Sequence, residues 1–97
     1  MLTVERIKEV VTRVGKKYGI KNAYLFGSYA RGDADKYSDV DVLIEAGEIR
    51  GLFELSGFRL ELVDELDGTD VDVITMDGIM PKFFEMIRNE RIPLYGC

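Results

Sequence analysis

The chain has 97 residues and a formal net charge of −5, with 46% apolar, 32% charged and 10% aromatic residues, the make-up of one soluble globular domain spanning residues 1–97. It contains no histidine and a single cysteine, Cys97, which excludes the usual zinc sites, Ser-His-Asp triads, histidine general bases and an internal disulfide. The only basic cluster, Lys16, Lys17 and Lys21, is modest, so extended DNA or RNA is disfavoured as a partner.

The opening MLTVERIKEV carries charges at Glu5, Arg6 and Lys8 and lacks a secretory layout. No apolar run approaches the ~20 residues that span a bilayer. A cytoplasmic location with no membrane partner is expected. Val4, Ile7, Val10, Val11, Val14 and Tyr18 recur at steps of three and four, which predicts a helix from Thr3 as N-cap to Tyr18, closed by Gly19. Ala23 to Phe26 is a short run of strand formers ending at Gly27. Ser28 to Gly32 reads as a tight turn opening a short helix, and Gly32 to Lys36 as a polar loop.

Ser38 to Glu45 (SDVDVLIE) is the clearest strand, two aspartates alternating with valines. A second long helix is predicted over Gly51 to Leu66. Leu52, Leu55, Arg59, Leu62, Val63 and Leu66 trace one side, and Phe53, Phe58 and Leu60 widen the apolar stripe. Asp67-Gly68 ends it, and Asp70 to Thr75 forms a third strand. Pro81 opens a last helix running to about Arg91, after which Ile92 to Tyr95 packs back as an extended segment. The order α-β-α-β-α-β-α predicts an α/β fold, a small sheet flanked by helices.

With no histidine and only the one cysteine, Cys97, chemistry must come from carboxylates, hydroxyls, backbone amides and a few cations, a set that suits hard metals such as magnesium. Residues Gly27 to Asp41 (GSYARGDADKYSDVD) concentrate these groups. Gly27 permits positive φ and close backbone approach of a ligand. Ser28 offers a hydroxyl and free amides to an anion at a helix start, and Arg31, one turn on, a phosphate contact. Asp39 and Asp41, two apart on a strand, project from one face with Cα atoms ~6.6–6.8 Å apart. Two carboxylates so placed can close on magnesium, and a pair of such ions ~3.5–4 Å apart is the usual device for in-line displacement at phosphorus. Without a cation the arrangement is destabilising. Asp70 and Asp72 repeat the pattern on the third strand. Asp72, embedded among Val71, Val73 and Ile74, is the expected third acid, with Asp70 nearer the turn as the alternative.

These residues resemble the signature of the DNA polymerase β-like nucleotidyltransferase superfamily: Gly-Ser, about ten residues, then Asp-x-Asp on a strand. The minimal nucleotidyltransferases are most similar, with Gly27, Ser28, Arg31, Gly32, Ser38, Asp39 and Asp41 all matching. Seven fixed positions at average residue frequencies recur by chance in roughly one window in 10⁸.

The resemblance implies the nucleotidyltransferase fold and a magnesium-dependent transfer of a nucleotidyl group. Gly27, Ser28 and Arg31 would hold the nucleoside triphosphate, ATP by the same resemblance. Asp39, Asp41 and Asp72 would be the catalytic acids and the ligands of two Mg²⁺ ions. A chain of this length has no residues left to enclose an acceptor, so a partner protein or a homodimer-related subunit is expected to present it. Members of this group are partnered with HEPN-domain toxins, some adding AMP to a toxin tyrosine, and the resemblance implies an antitoxin of that kind. Phe83, Phe84, Met86, Leu94 and Tyr95 are candidates for a contact patch, with core packing as the alternative. Two other readings stay open: a transferase acting on a small hydroxyl compound, and a non-catalytic nucleotide-binding or inhibitory partner of a toxin.

Overall fold

The computed structural model describes residues 2–76, 82, 83, 85 and 88–96. Helix α1 spans Val4–Tyr18, strand β1 Asn22–Phe26, the short helix α2 Gly27–Arg31, β2 Val40–Glu45, helix α3 Gly51–Glu65, β3 Val71–Thr75 and β4 Ile92–Tyr95. The last predicted helix, including Phe84 and Met86, falls largely outside the described residues, as does Cys97.

α1 forms as its pattern predicts. The Thr3 hydroxyl accepts a hydrogen bond from the Arg6 amide at 3.1 Å, satisfying one of the free donors of the first turn. Gly19, at φ 71°, turns its amide back onto the Gly15 and Lys16 carbonyls. Ile7, Val10, Val11 and Val14 are buried.

The sheet is mixed, in the order β3-β2-β1-β4. β1 runs antiparallel to β2 and β4, whereas β2 and β3 are parallel, joined by the crossover through α3. The expected extended tail is thus a fourth strand at the sheet edge. One face buries Ala23, Leu25, Val40, Val42, Ile44 and Val71 against α1, α3 and Leu94. The opposite face carries a smaller cluster, Phe26 and Leu43 with Tyr24, Ile74, Met76 and Phe83. Phe83 stands edge-on to Phe26 at 5.7 Å. Leu94 is only 2% exposed, so of the residues weighed as a contact patch it belongs to the core.

α3 buries only part of its predicted stripe, with Leu55, Val63 and Leu66 packed on the core as expected. Phe58 and Leu62 are buried, with Phe58 edge-on to Tyr18 of α1 at 5.6 Å. Lys17 and Tyr18 both donate to Glu61, at 2.7 and 3.1 Å, closing the α1–α3 seam. Leu52, Phe53 and Leu60, expected within the buried stripe, are instead 80%, 93% and 58% exposed. The helix is apolar around most of its circumference, so periodicity alone does not say which arc meets the sheet. No helix of the described residues is long and apolar enough to cross a membrane.

The two phenylalanines of α3 should therefore behave oppositely. Phe58→Ala is expected to cost about 3–5 kcal/mol of unfolding free energy. Phe53→Ala in dilute solution should change it by less than about 0.5 kcal/mol. Urea unfolding of both variants checks this.

Candidate active site

Three local devices bring the acidic residues to the face of the sheet opposite α1 and α3. A bend ahead of β2 is pinned by Ser38, whose hydroxyl accepts from the Asp35 amide at 2.9 Å and donates to the Asp35 carboxylate at 3.3 Å. The same carboxylate accepts from the Tyr37 amide at 2.9 Å. β2 consequently starts at Val40, two residues later than predicted, and Asp39 lies just outside it. The Val40 amide then donates to the Asp70 carbonyl at 2.9 Å, starting the parallel pairing with β3.

That pairing sets Asp41 opposite Asp72, while on its other side Asp41 faces Phe26. Because side chains alternate along a strand, Phe26, Asp41 and Asp72 form one row across the face. Tyr24, Leu43 and Ile74 form the next row. The guanidinium of Arg91 stacks on the Tyr24 ring at 4.3 Å, capping that second row.

The third device is the β1–α2 turn. Gly27 sits at φ 73°, and a Cβ there would run into the Asp41 carboxylate. The glycine is thus needed both for its backbone angle and for the space that the acid occupies. Phe26 gives α2 no side-chain cap, so the first amides of α2 are not satisfied in that way. The Ser28 carbonyl accepts from Gly32 and Asp33, closing the turn.

The electrostatics follow from this placement. The Asp41 carboxyl is pushed up to about 6, first by burial, then by the charges of Asp72 and Asp39 and by a hydrogen bond with Asp72; Arg31 acts in the opposite direction. Arg31 itself is exposed and reaches Asp33 and Glu90, each at 3.4 Å.

Asp70 has a different employment. Its carboxylate takes a 2.6 Å ion pair from Arg59 of α3, whose Nε also donates to the Val71 carbonyl at 2.8 Å. Of the two acids expected on the third strand, then, Asp72 of β3 stands beside Asp41, whereas Asp70 lies one residue ahead of β3 and is tied to the helix. Sequence reasoning put Arg59 on the apolar stripe and missed this anchor. It also missed Ser38 as a hinge pin and Arg91 over Tyr24, for which no local pattern gives a signal.

The donors fit a hard divalent cation. They are all carboxylate oxygens, and the repulsion from Asp72 and Asp39, which adds to burial in raising the Asp41 carboxyl, is what such an ion relieves. Among the described residues no three acids already converge into a closed cage. Asp39 and Asp72 are exposed, with room to rotate toward a ligand.

A family profile described as "Nucleotidyltransferase domain" matches residues 7–95. A candidate protein adenylyltransferase of Methanocaldococcus jannaschii is 37% identical over 91 residues, covering 94% of this chain and 97% of that protein. The protein adenylyltransferase MntA of Thermococcus cleftensis is 35% identical over 94 residues, covering 93% and 94%. Among solved structures, a candidate minimal nucleotidyltransferase superposes with a TM-score of 0.81 at 32% identity, covering 96% of this chain and 97% of that one. A chain from the Shewanella oneidensis complex of a tri-AMPylated HEPN toxin with an MNT antitoxin shares the fold, with a TM-score of 0.71 at 18% identity over 96% of this chain and 71% of that one. The chain belongs to the nucleotidyltransferase domain family, in its minimal form, and is an enzyme of nucleotidyl transfer.

Two outcomes are expected at this site. With its folded pKa raised above the ordinary 3.8, Asp41 holds its proton more tightly in the folded than in the unfolded chain. Metal-free protein should therefore lose stability as pH rises from about 4 through about 6, relative to Asp41→Asn, which lacks this titration. Thermal melts of both proteins across that window test it. Gly27→Ala should lower stability by at least about 1–3 kcal/mol in the same melts, because strain and collision coincide there.

Proposed function

We propose that this enzyme transfers AMP from ATP to a hydroxyl of a partner protein, a HEPN-domain toxin, and so acts as its antitoxin in the cytoplasm. The observation that carries the reading is the pairing of Asp41 with Asp72 beside the Gly27–Ser28 turn, in a chain whose relatives are named protein adenylyltransferases.

The turn receives the triphosphate. Gly27 lets the chain approach it closely, and the Ser28 hydroxyl and the α2 amides donate to its oxygens. Arg31, already near enough to act on Asp41, adds positive charge by leaving its exposed partners Asp33 and Glu90. Asp39, Asp41 and Asp72 would hold magnesium, which when bound neutralises triphosphate charge and assists pyrophosphate departure. Asp72, the more exposed member of the Asp41–Asp72 pair, orients the acceptor hydroxyl and takes its proton. The acceptor oxygen forms a bond to the α-phosphorus, the bond from that phosphorus to the bridging oxygen breaks, and pyrophosphate leaves.

Half-burial of Asp41 suits it to a fixed ligand, and exposure of Asp39 and Asp72 suits them to groups that arrive with substrate. A small hydroxyl compound is the competing acceptor. The name of the Thermococcus relative and the AMPylated toxin in the Shewanella complex favour a protein.

Incubation with α-labelled ATP, magnesium and the partner protein should yield a labelled protein band, and Asp41→Asn should reduce labelling by about 10²–10³-fold. Label appearing only in small molecules, or an Asp41→Asn variant working at full rate, would overturn the proposal.

A further inference from the structure

The arc of α3 turned away from the sheet carries an arrangement that nothing in nucleotidyl transfer requires. Leu52, Phe53 and Leu60 stand largely exposed along it. At 100° per residue, Ser56 falls between them on the same arc. Three large apolar side chains grouped on one helix face are uncommon on a surface with no partner.

The charges at the two ends of this stripe are the second observation. Arg50, at the N-cap of α3, and Asp64, in its last turn, are both exposed, and neither has an ion-pair partner among the described residues. The nearby Arg59, Lys17 and Arg13 are all engaged, with Asp70, Glu61 and Glu65 respectively. Arg50 and Asp64 lie about 21 Å apart along the helix at 1.5 Å per residue. Their midpoint is residue 57, and the midpoint of Phe53 and Leu60 lies between Ser56 and Gly57, so the charged pair and the apolar pair share one centre.

A helix with that symmetry of properties matches its own antiparallel copy. From this we infer that α3 is the interface of a two-fold dimer, with the occupant of the stripe being α3 of a second copy of this chain. In an antiparallel crossing centred near Ser56, Phe53 of one copy packs on Leu60 of the other, and Arg50 meets Asp64 at both ends. Ser56 at the crossing point lets the helices approach to about 8–10 Å. Such a contact pairs both charges and covers the apolar stripe in one step. An unrelated partner would have to match a basic and an acidic end at this one spacing.

The placement also fits the activity. α3 packs on the face of the sheet opposite Asp41 and Asp72, so dimerisation leaves both acidic faces directed outward. Each copy can then engage an acceptor independently. The interface is small by the standard of permanent dimers, so association in the micromolar range is expected.

Sedimentation velocity over about 1–200 µM provides the test. The wild-type chain should move from 11.0 kDa toward twice that mass. Phe53→Glu with Leu60→Glu should remain monomeric over the whole range, with unchanged circular dichroism and unchanged melting at low concentration. Arg50→Glu alone should weaken association at least 10-fold, and Arg50→Glu combined with Asp64→Lys should restore it. A wild-type chain that stays monomeric throughout, including one that uses this stripe for a different protein, would overturn the inference. So would a dimer indifferent to Phe53→Glu with Leu60→Glu, or a charge reversal that fails to rescue.

Discussion

The parallel register of β2 against β3 is the constraint on which the rest of the site depends. One residue of slip would send Asp72 to the helical face, into the layer occupied by Val71, and leave Asp41 opposite a valine. What holds the register is apolar: Val40, Val42, Ile44 and Val71 are completely buried on the far face. The Arg59 anchor adds a polar clamp at the start of β3, pairing with Asp70 and the Val71 carbonyl together. The core therefore does more than stabilise the fold. It forces two like charges into adjacency that they would avoid on their own.

On the proposed function, that adjacency is what attracts a cation to the site. A half-buried carboxyl facing two other acids binds a proton too readily for a surface aspartate, and the same field favours any divalent ion that can displace the proton. Gly27 contributes by absence. Its missing Cβ leaves room for the Asp41 carboxylate, and its positive φ turns the chain so that Ser28 and α2 begin directly beside it. The Ser28 hydroxyl, the first amides of α2 and the acids are thereby brought together by a single backbone turn.

Much of this was legible in the sequence, for definite reasons. α1 has a clean apolar stripe and good caps, so its limits follow from Thr3 and Gly19. The acidic strand declares itself by alternation, since aspartate has no structural reason to recur at every second position. The choice between Asp70 and Asp72 was open because it depends on the β2–β3 register and on Arg59, both products of long-range packing. The β2 start was misjudged because Ser38 is occupied in a hydrogen-bonded bend with Asp35, which competes with strand formation. The exposed part of the predicted α3 stripe has a similar origin. Leu52, Phe53 and Leu60 are as apolar as the residues that are buried, and only the position of α1 and the sheet separates them.

The direct test of the central claim is magnesium-dependent binding of a non-hydrolysable ATP analogue, measured by calorimetry on wild type, Asp72→Asn and Asp70→Asn. If the Asp41–Asp72 pair forms the cation site, Asp72→Asn should lose at least 10-fold in metal-dependent affinity, while Asp70→Asn, which only loosens an exposed pair with Arg59, should stay within about 2-fold. Equal losses in the two variants, or a loss confined to Asp70→Asn, would contradict the account.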